Sequence, residues 1–223
     1  MNQIILEHVT KKFKNIVALN DINAEFHDGK IYGIIGRNGS GKTVLLKAIC
    51  GLTRIDAGTV TISGKVIGNE IDFPENVGII IENPGFLPSY SAYNNLKYLA
   101  SLRNKIGDTE IKDTMNLVGI DPDNKQHVGK FSLGMKQRLG LAQAIMENPD
   151  ILILDEPMNG LDKNGVVDVR KIILDYKQPN KIVILVSHNS EDIKTLCDFV
   201  YEMDQGQLNE IDHYSVDESR QVD

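Results

Sequence analysis

Gly36-Arg37-Asn38-Gly39-Ser40-Gly41-Lys42-Thr43 is the stretch whose reading decides the fold. It has the spacing G-x-x-x-x-G-K-[ST] of a phosphate-binding P-loop, and its neighbours are those that such a loop needs. The run Ile31-Tyr32-Gly33-Ile34-Ile35 before it is short, apolar and β-branched, which predicts a buried strand. Val44, Leu45, Leu46, Ala48 and Ile49 after it have helical spacing, and Gly51 can close that helix. Strand, glycine-rich turn and helix N-terminus together make an anion trap. The glycines let backbone N–H groups converge on phosphate oxygens, and the unpaired first-turn amides carry partial positive charge. In that arrangement Lys42 reaches the β- and γ-phosphates and the Thr43 hydroxyl ligates Mg2+. These flanks set the stretch apart from an ordinary Gly-rich turn. The chain is expected to bind a nucleoside triphosphate through Asn38, Gly39, Ser40, Gly41, Lys42, Thr43 and Val44.

Bulk properties bound the rest. The 223 residues suit one α/β domain with room for a small inserted subdomain. Hydrophobic content of 41% and charged content of 25% are ordinary for a soluble globular protein. A net charge of −7 without a basic stripe argues against a nucleic-acid partner. No apolar run approaches about 18 residues, so no membrane insertion is expected, and the first residues carry no secretory signal. Cys50 and Cys197 are isolated in apolar settings and are expected to be reduced core thiols of a cytoplasmic protein.

Taken in order, residues 4–9 and 22–26 read as strands joined by a segment carrying Phe13 and Val17, and Asp28-Gly29 is a hairpin-type turn signal. Asp56-Ala57-Gly58 turns into a strand over 59–62, with Gly64 as the next break. Val77-Gly78-Ile79-Ile80-Ile81 predicts a second buried strand. From about Ala92 to Gly129 the pattern is helical, with Leu96, Leu99, Ala100, Ile111, Met115 and Val118 at helical spacing and Asp108 as an N-cap. Ser132 caps a long helix to about Glu147. Residues 151–154 and 182–186 are continuous apolar runs, as expected of parallel strands covered on both faces, with a crossover helix over about 166–176 between them. Ser190-Glu191-Asp192 opens a further helix with acidic residues in its first turn. Residues 199–211 suggest a closing hairpin, and a frayed tail is expected beyond about 212.

Ile151-Leu152-Ile153-Leu154-Asp155-Glu156-Pro157 presents Asp155 at the end of an apolar strand, where a carboxylate holds Mg2+ through water beside a P-loop. Glu156 follows immediately, placed to take a proton from the attacking water as general base. A strand that merely exits into an acidic turn is the plain alternative. Phe131-Ser132-Leu133-Gly134-Met135-Lys136-Gln137-Arg138 reads as a capped helix N-terminus with a hydroxyl and free amides fit to grip a phosphate; a routine helix cap explains it equally well alone.

With these residues in place, roughly residues 3–212 resemble the ATP-binding subunit of an ABC transporter. Residues 131–135 are similar to that family's L-S-G-G-Q signature, Ser132 and Gly134 matching while Phe131, Leu133 and Met135 depart. The resemblance implies that Ser132 and Gly134 grip the γ-phosphate bound to a partner subunit. It also implies that His188, in Ser187-His188, is the switch histidine contacting the γ-phosphate and the catalytic glutamate. Asp162, in Asn159-Gly160-Leu161-Asp162, matches a loop that crosses the dimer interface and is usually S-A-L-D. Phe13 falls where an aromatic ring stacks on adenine, with Val17 on the same segment as a further nucleotide contact; a core phenylalanine is the alternative for Phe13. Lys42, Glu156 and His188 are thus the expected catalytic set, and Thr43, Glu82 and Asp155 the expected Mg2+ ligands.

Glu82 replaces the glutamine that ends the equivalent strand in most of the family. It brings a full charge toward Asp155 and Glu156, which should alter metal affinity or raise a carboxylate's pKa. Glutamate here resembles bacitracin-resistance and lantibiotic self-protection transporters.

The expected fold is α/β: a P-loop NTPase (RecA-like) core sheet, an N-terminal antiparallel β flank, and a helical subdomain inserted over about 83–148, all within one domain over 1–212. The resemblance implies an ATPase that binds ATP and Mg2+, forms a head-to-tail homodimer or heterodimer, and powers a separate membrane permease on the inner face of a bacterial cell membrane. The permease would dock near Phe86, Leu87 and Tyr90, and the cargo class is antimicrobial peptide or a similar amphiphile. A soluble ABC ATPase with no permease is the rival reading. A P-loop kinase or small GTPase is a third, but it leaves residues 132–138 and Glu156 without a role.

Overall fold

The computed structural model describes residues 2–82 and 85–211. Two sheets and a group of helices build the chain. The first sheet is antiparallel, in the order β2-β1-β4-β5, from β1 (Gln3–Phe13), β2 (Ile16–His27), β4 (Ala57–Ile62) and β5 (Lys65–Val66). The second has the order β10-β9-β3-β8-β7-β6 and contains β3 (Lys30–Ile35), β6 (Val77–Ile80), β7 (Ile151–Asp155), β8 (Ile182–Val186), β9 (Phe199–Asp204) and β10 (Gln207–Glu210). Within it β3, β6, β7, β8 and β9 run parallel, and β10 alone turns back.

Alternation explains the continuous apolar strands. Ile151, Ile153, Ile182 and Ile184 point into a core shared with β1, β2 and helix α1 (Lys42–Ile49), where Phe26, Leu45 and Leu46 are buried. Leu152, Leu154, Val183 and Leu185 point the other way, against α5 (Lys163–Tyr176) and the helices inserted between β6 and β7. Those are α2 (Ala92–Arg103), α3 (Asp108–Leu117), a short 3-10 turn at Val128–Lys130 and α4 (Leu133–Ile145), followed after β8 by α6 (Ser190–Leu196). At Gly78 a Cβ would lie 1.9 Å from the Ala144 carbonyl oxygen, so only glycine lets α4 seat on β6.

Several expectations are corrected. Phe13 and Val17 lie in the strands themselves, which a tight Lys14-Asn15 turn joins with Phe13 opposite Ile16. The Asp28-Gly29 turn exists, but β2 and β3 on its two sides enter different sheets, so it closes no hairpin. Asp108 is the first residue of α3 rather than its cap. The Gly107 N–H bonds to Glu110 Oε2 at 3.0 Å, and the Asp108 carboxylate instead pairs with Lys97 at 2.9 Å. Cys50 is buried, whereas Cys197 is only partly so; both are free thiols, and burial pushes both up to about 12. The expected tail lies outside the described residues.

Candidate nucleotide site

β3 ends in the P-loop and α1 begins at Lys42, so residues 36–43 turn where a parallel strand in the sheet interior hands over to a helix N-terminus. Two glycines are needed there for space as well as conformation. Gly36 has φ +144, and a Cβ on it would lie 2.2 Å from the Met203 carbonyl oxygen; Gly41 has φ +117, and its Cβ would lie 2.4 Å from that of Ala18. The β9–β10 turn clamps the loop from outside, because the Gly206 N–H donates to the Ser40 carbonyl at 3.1 Å and its carbonyl accepts from Asn20 N–H at 2.8 Å.

An open cleft of about 1090 Å³ lies over this loop. Of the expected site residues it gathers Val17, Asn38 through Val44, Glu82, Asp155, Glu156 and His188. Thr43 Oγ1 donates to Asp155 Oδ2 at 3.0 Å, so two of the three expected metal ligands already meet. Lys42 is buried and donates to the carbonyls of Gly36 at 2.6 Å and Arg37 at 2.9 Å. Burial lowers its pKa, an effect opposed by Glu156 and Asp155. Burial raises Asp155, and the Glu82 charge adds to that while the Thr43 hydrogen bond and Lys42 oppose it.

Glu156 is strongly perturbed. It sits just past the end of β7 with φ +51, a left-handed backbone that costs a glutamate about 1 kcal/mol or more. Burial, then the neighbouring Asp155 charge, pushes its carboxyl up to about 7. His188 Nε2 lies 3.4 Å from Glu156 Oε1, without hydrogen-bond geometry. Burial, then Lys42, lowers the His188 pKa. Among the described residues, the buried side-chain polar atoms without a hydrogen-bond partner are Ser40 Oγ and Glu156 Oε1.

Other expected site residues stand elsewhere. Phe13 is 46% exposed, which removes the core alternative, and it lies in register with Ile16, which lines the cleft. Ser132 caps α4, its hydroxyl accepting from Met135 N–H at 3.2 Å, and Asp162 caps α5, accepting from Gly165 N–H at 2.8 Å. Neither of them, nor Gly134, lines this chain's cleft. Glu82 does, but its carboxylate is held by Lys47 at 2.7 Å, on the outer side of α1 one turn after Thr43. The full charge foreseen beside Asp155 is therefore partly neutralised from within the chain.

Two contacts escaped sequence reading. Gln137, buried on α4, donates through Nε2 to the Glu156 carbonyl at 3.0 Å and so ties the signature-like helix to the residue placed as base. The Leu133 side chain packs over Gly160, where a Cβ would lie 2.5 Å from Leu133 Cδ2. The departures from the family pattern at positions 133 and 160 thus fit each other: a large residue on one side and no side chain on the other. Both were visible as departures, but nothing in the chain order paired them.

Comparison with known proteins places the chain. The sequence pattern of the family described as "ABC transporter" matches residues 19–159. YybJ of Bacillus subtilis (strain 168), an uncharacterized ABC transporter ATP-binding protein, is 47% identical over 201 residues, covering 90% of this chain and 92% of that one. The bacitracin transport ATP-binding protein BcrA of Enterococcus faecalis is 38% identical, covering 92% of this chain and 67% of its own. The lantibiotic transport ATP-binding protein SrtF of Streptococcus pyogenes is 34% identical, covering 91% and 87%. Among solved structures, the dimeric post-hydrolysis state of the ATP-binding cassette MJ0796 bound to ADP and Pi superposes with a TM-score of 0.84 at 19% identity, covering 95% of this chain and all of that one. The P-loop, the strand-end carboxylates and these likenesses agree: the chain belongs to the ABC transporter family, as an ATP-binding subunit that hydrolyses ATP.

Proposed function

We propose that this ATPase powers a separate membrane permease that exports an antimicrobial peptide or similar amphiphile, working as a head-to-tail dimer at the inner face of a bacterial cell membrane. The observation that carries the ATPase site is the convergence of Lys42, Thr43, Asp155, Glu156 and His188 on one cleft, with Glu156 Oε1 buried and unpartnered there. The export reading is supported by the bacitracin and lantibiotic names borne by relatives at 38% and 34% identity. The dimer reading is supported by the dimeric cassette that shares the fold, and by Ser132, Gly134 and Asp162 standing outside their own chain's cleft. No helix among the described residues is long and apolar enough to cross a membrane, so the translocation path would come from the partner.

The residues fit Mg-ATP. Lys42 exchanges its two carbonyl partners for β- and γ-phosphate oxygens, and the amides of residues 39–43 take the rest. Thr43 and Asp155 would hold Mg2+ together with phosphate oxygens and water, Glu82 standing at the rim. The cation, when bound, neutralises charge developing between the β- and γ-phosphates. Glu156 accepts the proton of the water whose oxygen attacks the γ-phosphorus as the bond to the β-phosphate oxygen breaks. A carboxyl near 7 suits that transfer at neutral pH. His188 holds the γ-phosphate and attacking water in line. Phe13 and Val17 contact the adenine ring.

The permease would dock by the loop after β6. Leu87 and Tyr90 are 40% and 48% exposed there, and Asn95 fixes the loop through bonds to both the N–H and the carbonyl of Leu87. Phe86 is not the exposed anchor expected, since it is half-buried against the helical core.

Gel filtration of Glu156→Gln with and without Mg-ATP tests the composite site. ATP should convert monomer to dimer, and Ser132→Arg in the same chain should abolish the shift. A variant that binds ATP yet stays monomeric at high concentration, with Glu82→Gln giving no rescue, would defeat dimerisation by the subunit alone. Co-purification with a polytopic membrane protein separates the transporter from the soluble ATPase.

A further inference from the structure

The turn that presents His188 is held from behind by charges that do not line the cleft. Ser187 and Asp192 are 3% and 2% exposed. The Ser187 hydroxyl donates to Asp192 Oδ2 at 2.9 Å and accepts the Asn189 N–H at 3.1 Å. Asn189 Oδ1 accepts the Glu191 N–H at 2.8 Å, so both neighbours of His188 in the chain are tied down. Asp192 is fixed in turn by Arg170 of α5, which donates to its Oδ1 through Nε at 2.8 Å and Nη2 at 2.6 Å and reaches Glu191 through Nη1 at 3.1 Å.

Stability gives little reason for such an arrangement. Taking a carboxylate and a guanidinium out of water costs several kcal/mol, by general experience, and well-packed apolar residues often serve a fold as well or better. What an apolar pair lacks is direction. The carboxylate has one oxygen on the guanidinium and the other on the Ser187 hydroxyl, and that hydroxyl's own lone pair takes the amide after His188. The network therefore fixes the exit of β8 in one orientation. Arg170 also lies on the helix that Asp162 caps, so displacement of the 157–162 loop would reach His188 through α5.

We propose that Asp192, anchored by Arg170 and acting through the Ser187 hydroxyl, is a positioning residue that aims His188 into the cleft for ATP hydrolysis. The proposal rests on the reading of His188 as the γ-phosphate contact. The test uses the full chain with Mg-ATP, measuring kcat, KM, single-turnover rate, nucleotide affinity and thermal midpoint. Ser187→Ala and Asp192→Asn should lower kcat about tenfold or more, with ATP affinity within about twofold. Ser187→Thr, which keeps the hydroxyl, should recover most of the loss. In a His188→Ala background Ser187→Ala should cause no further fall in single-turnover rate, which a merely structural role would not predict. Asp192→Asn takes from the half-buried Arg170 guanidinium its closest carboxylate and can loosen the chain, so the paired Arg170→Met/Asp192→Leu variant, which removes both charges, should fold yet stay slow. Wild-type turnover by Ser187→Ala and by the folded charge-free pair would overturn the proposal. So would additive losses with His188→Ala. Wild-type turnover by His188→Ala alone would instead overturn the reading of His188 itself.

Discussion

Replacing Glu156 by glutamine should stabilise the nucleotide-free protein, and should do so only on the alkaline side. The carboxyl is raised from its ordinary 4.5 to about 7 by burial and by Asp155. The folded state therefore holds a proton that the unfolded chain releases between those two values. Stability from this group is full below about 4.5 and is lost as pH rises through about 7, because above it a charge sits where water is scarce. Between pH 5 and 8.5 the linkage corresponds to about 2.6 kcal/mol at full strength. The side chain keeps 22% of its exposure, and screening by that water brings the expectation to about 1–1.5 kcal/mol. Glutamine is isosteric and has no such titration. The difference in thermal midpoint, variant minus wild type, should then grow by about 3–5 °C from pH 5 to 8.5 for a chain of this size. Melts followed by circular dichroism in EDTA, without nucleotide, provide the measurement. His188, whose pKa is lowered by burial and Lys42, contributes with the opposite sign, but it is present in both proteins and largely cancels. A difference that stays flat, or shrinks as pH rises, would refute the assignment of Glu156 as a buried, late-titrating base.

Three other perturbations have definite outcomes. Lys47→Met should cost under about 1 kcal/mol, because its pair with Glu82 is exposed, yet it leaves Glu82 unneutralised near Asp155. Half-saturating Mg2+ for ATP hydrolysis should fall about two- to fivefold, return with Glu82→Gln, and remain unchanged only if Glu82 is remote from the cation. Gly160→Ala puts a Cβ 2.5 Å from Leu133 Cδ2 at φ +75 and should destabilise by about 1–3 kcal/mol. Leu133→Ala in the same chain should recover the clash component, so additive losses in thermal melts would count against the pairing. Phe13→Ala should weaken ATP binding about five- to a hundredfold by loss of stacking, while the thermal midpoint barely moves because the ring is 46% exposed. A lowered midpoint with unchanged affinity would make the ring a hairpin support instead.

What could be read in the chain was what lies close along it. The loop 36–43 is legible because strand, glycines, lysine and helix are consecutive, so their order alone fixes their geometry. Asp155 and Glu156 are legible because a fully apolar strand has one place to present a carboxylate, its end. His188 carried no such local signal and entered through resemblance. The capping of α3 by Gly107, with Glu110 reaching back, was missed because an aspartate beside a helix start is the commoner cap. Gly78 looked like an ordinary strand residue until α4 was seen to rest on it. Lys47 with Glu82, Gln137 with Glu156 and Arg170 with Asp192 are separated by 35, 19 and 22 positions. Each joins two elements that meet only in three dimensions, and no periodicity announces such a pairing.

Contacts within the chain also balance several of the charges around the cleft. Lys42 is occupied by the carbonyls of Gly36 and Arg37, Asp155 by the Thr43 hydroxyl, and Glu82 by Lys47. Each is a bond that a phosphate or a cation can replace with a better one of the same sign. Ser40 Oγ and Glu156 Oε1 are left over, one beside the phosphate-facing amides and the other at the β7 exit, beside His188 on the cleft side. A buried acceptor without a donor costs about 1–3 kcal/mol, and here the cost is reduced by keeping the Glu156 carboxyl protonated up to about 7. Arrival of the nucleotide and its water supplies a donor to that atom, and the carboxyl can take the water's proton once it has given up its own. The least satisfied atom of the resting site is thus the one through which hydrolysis begins.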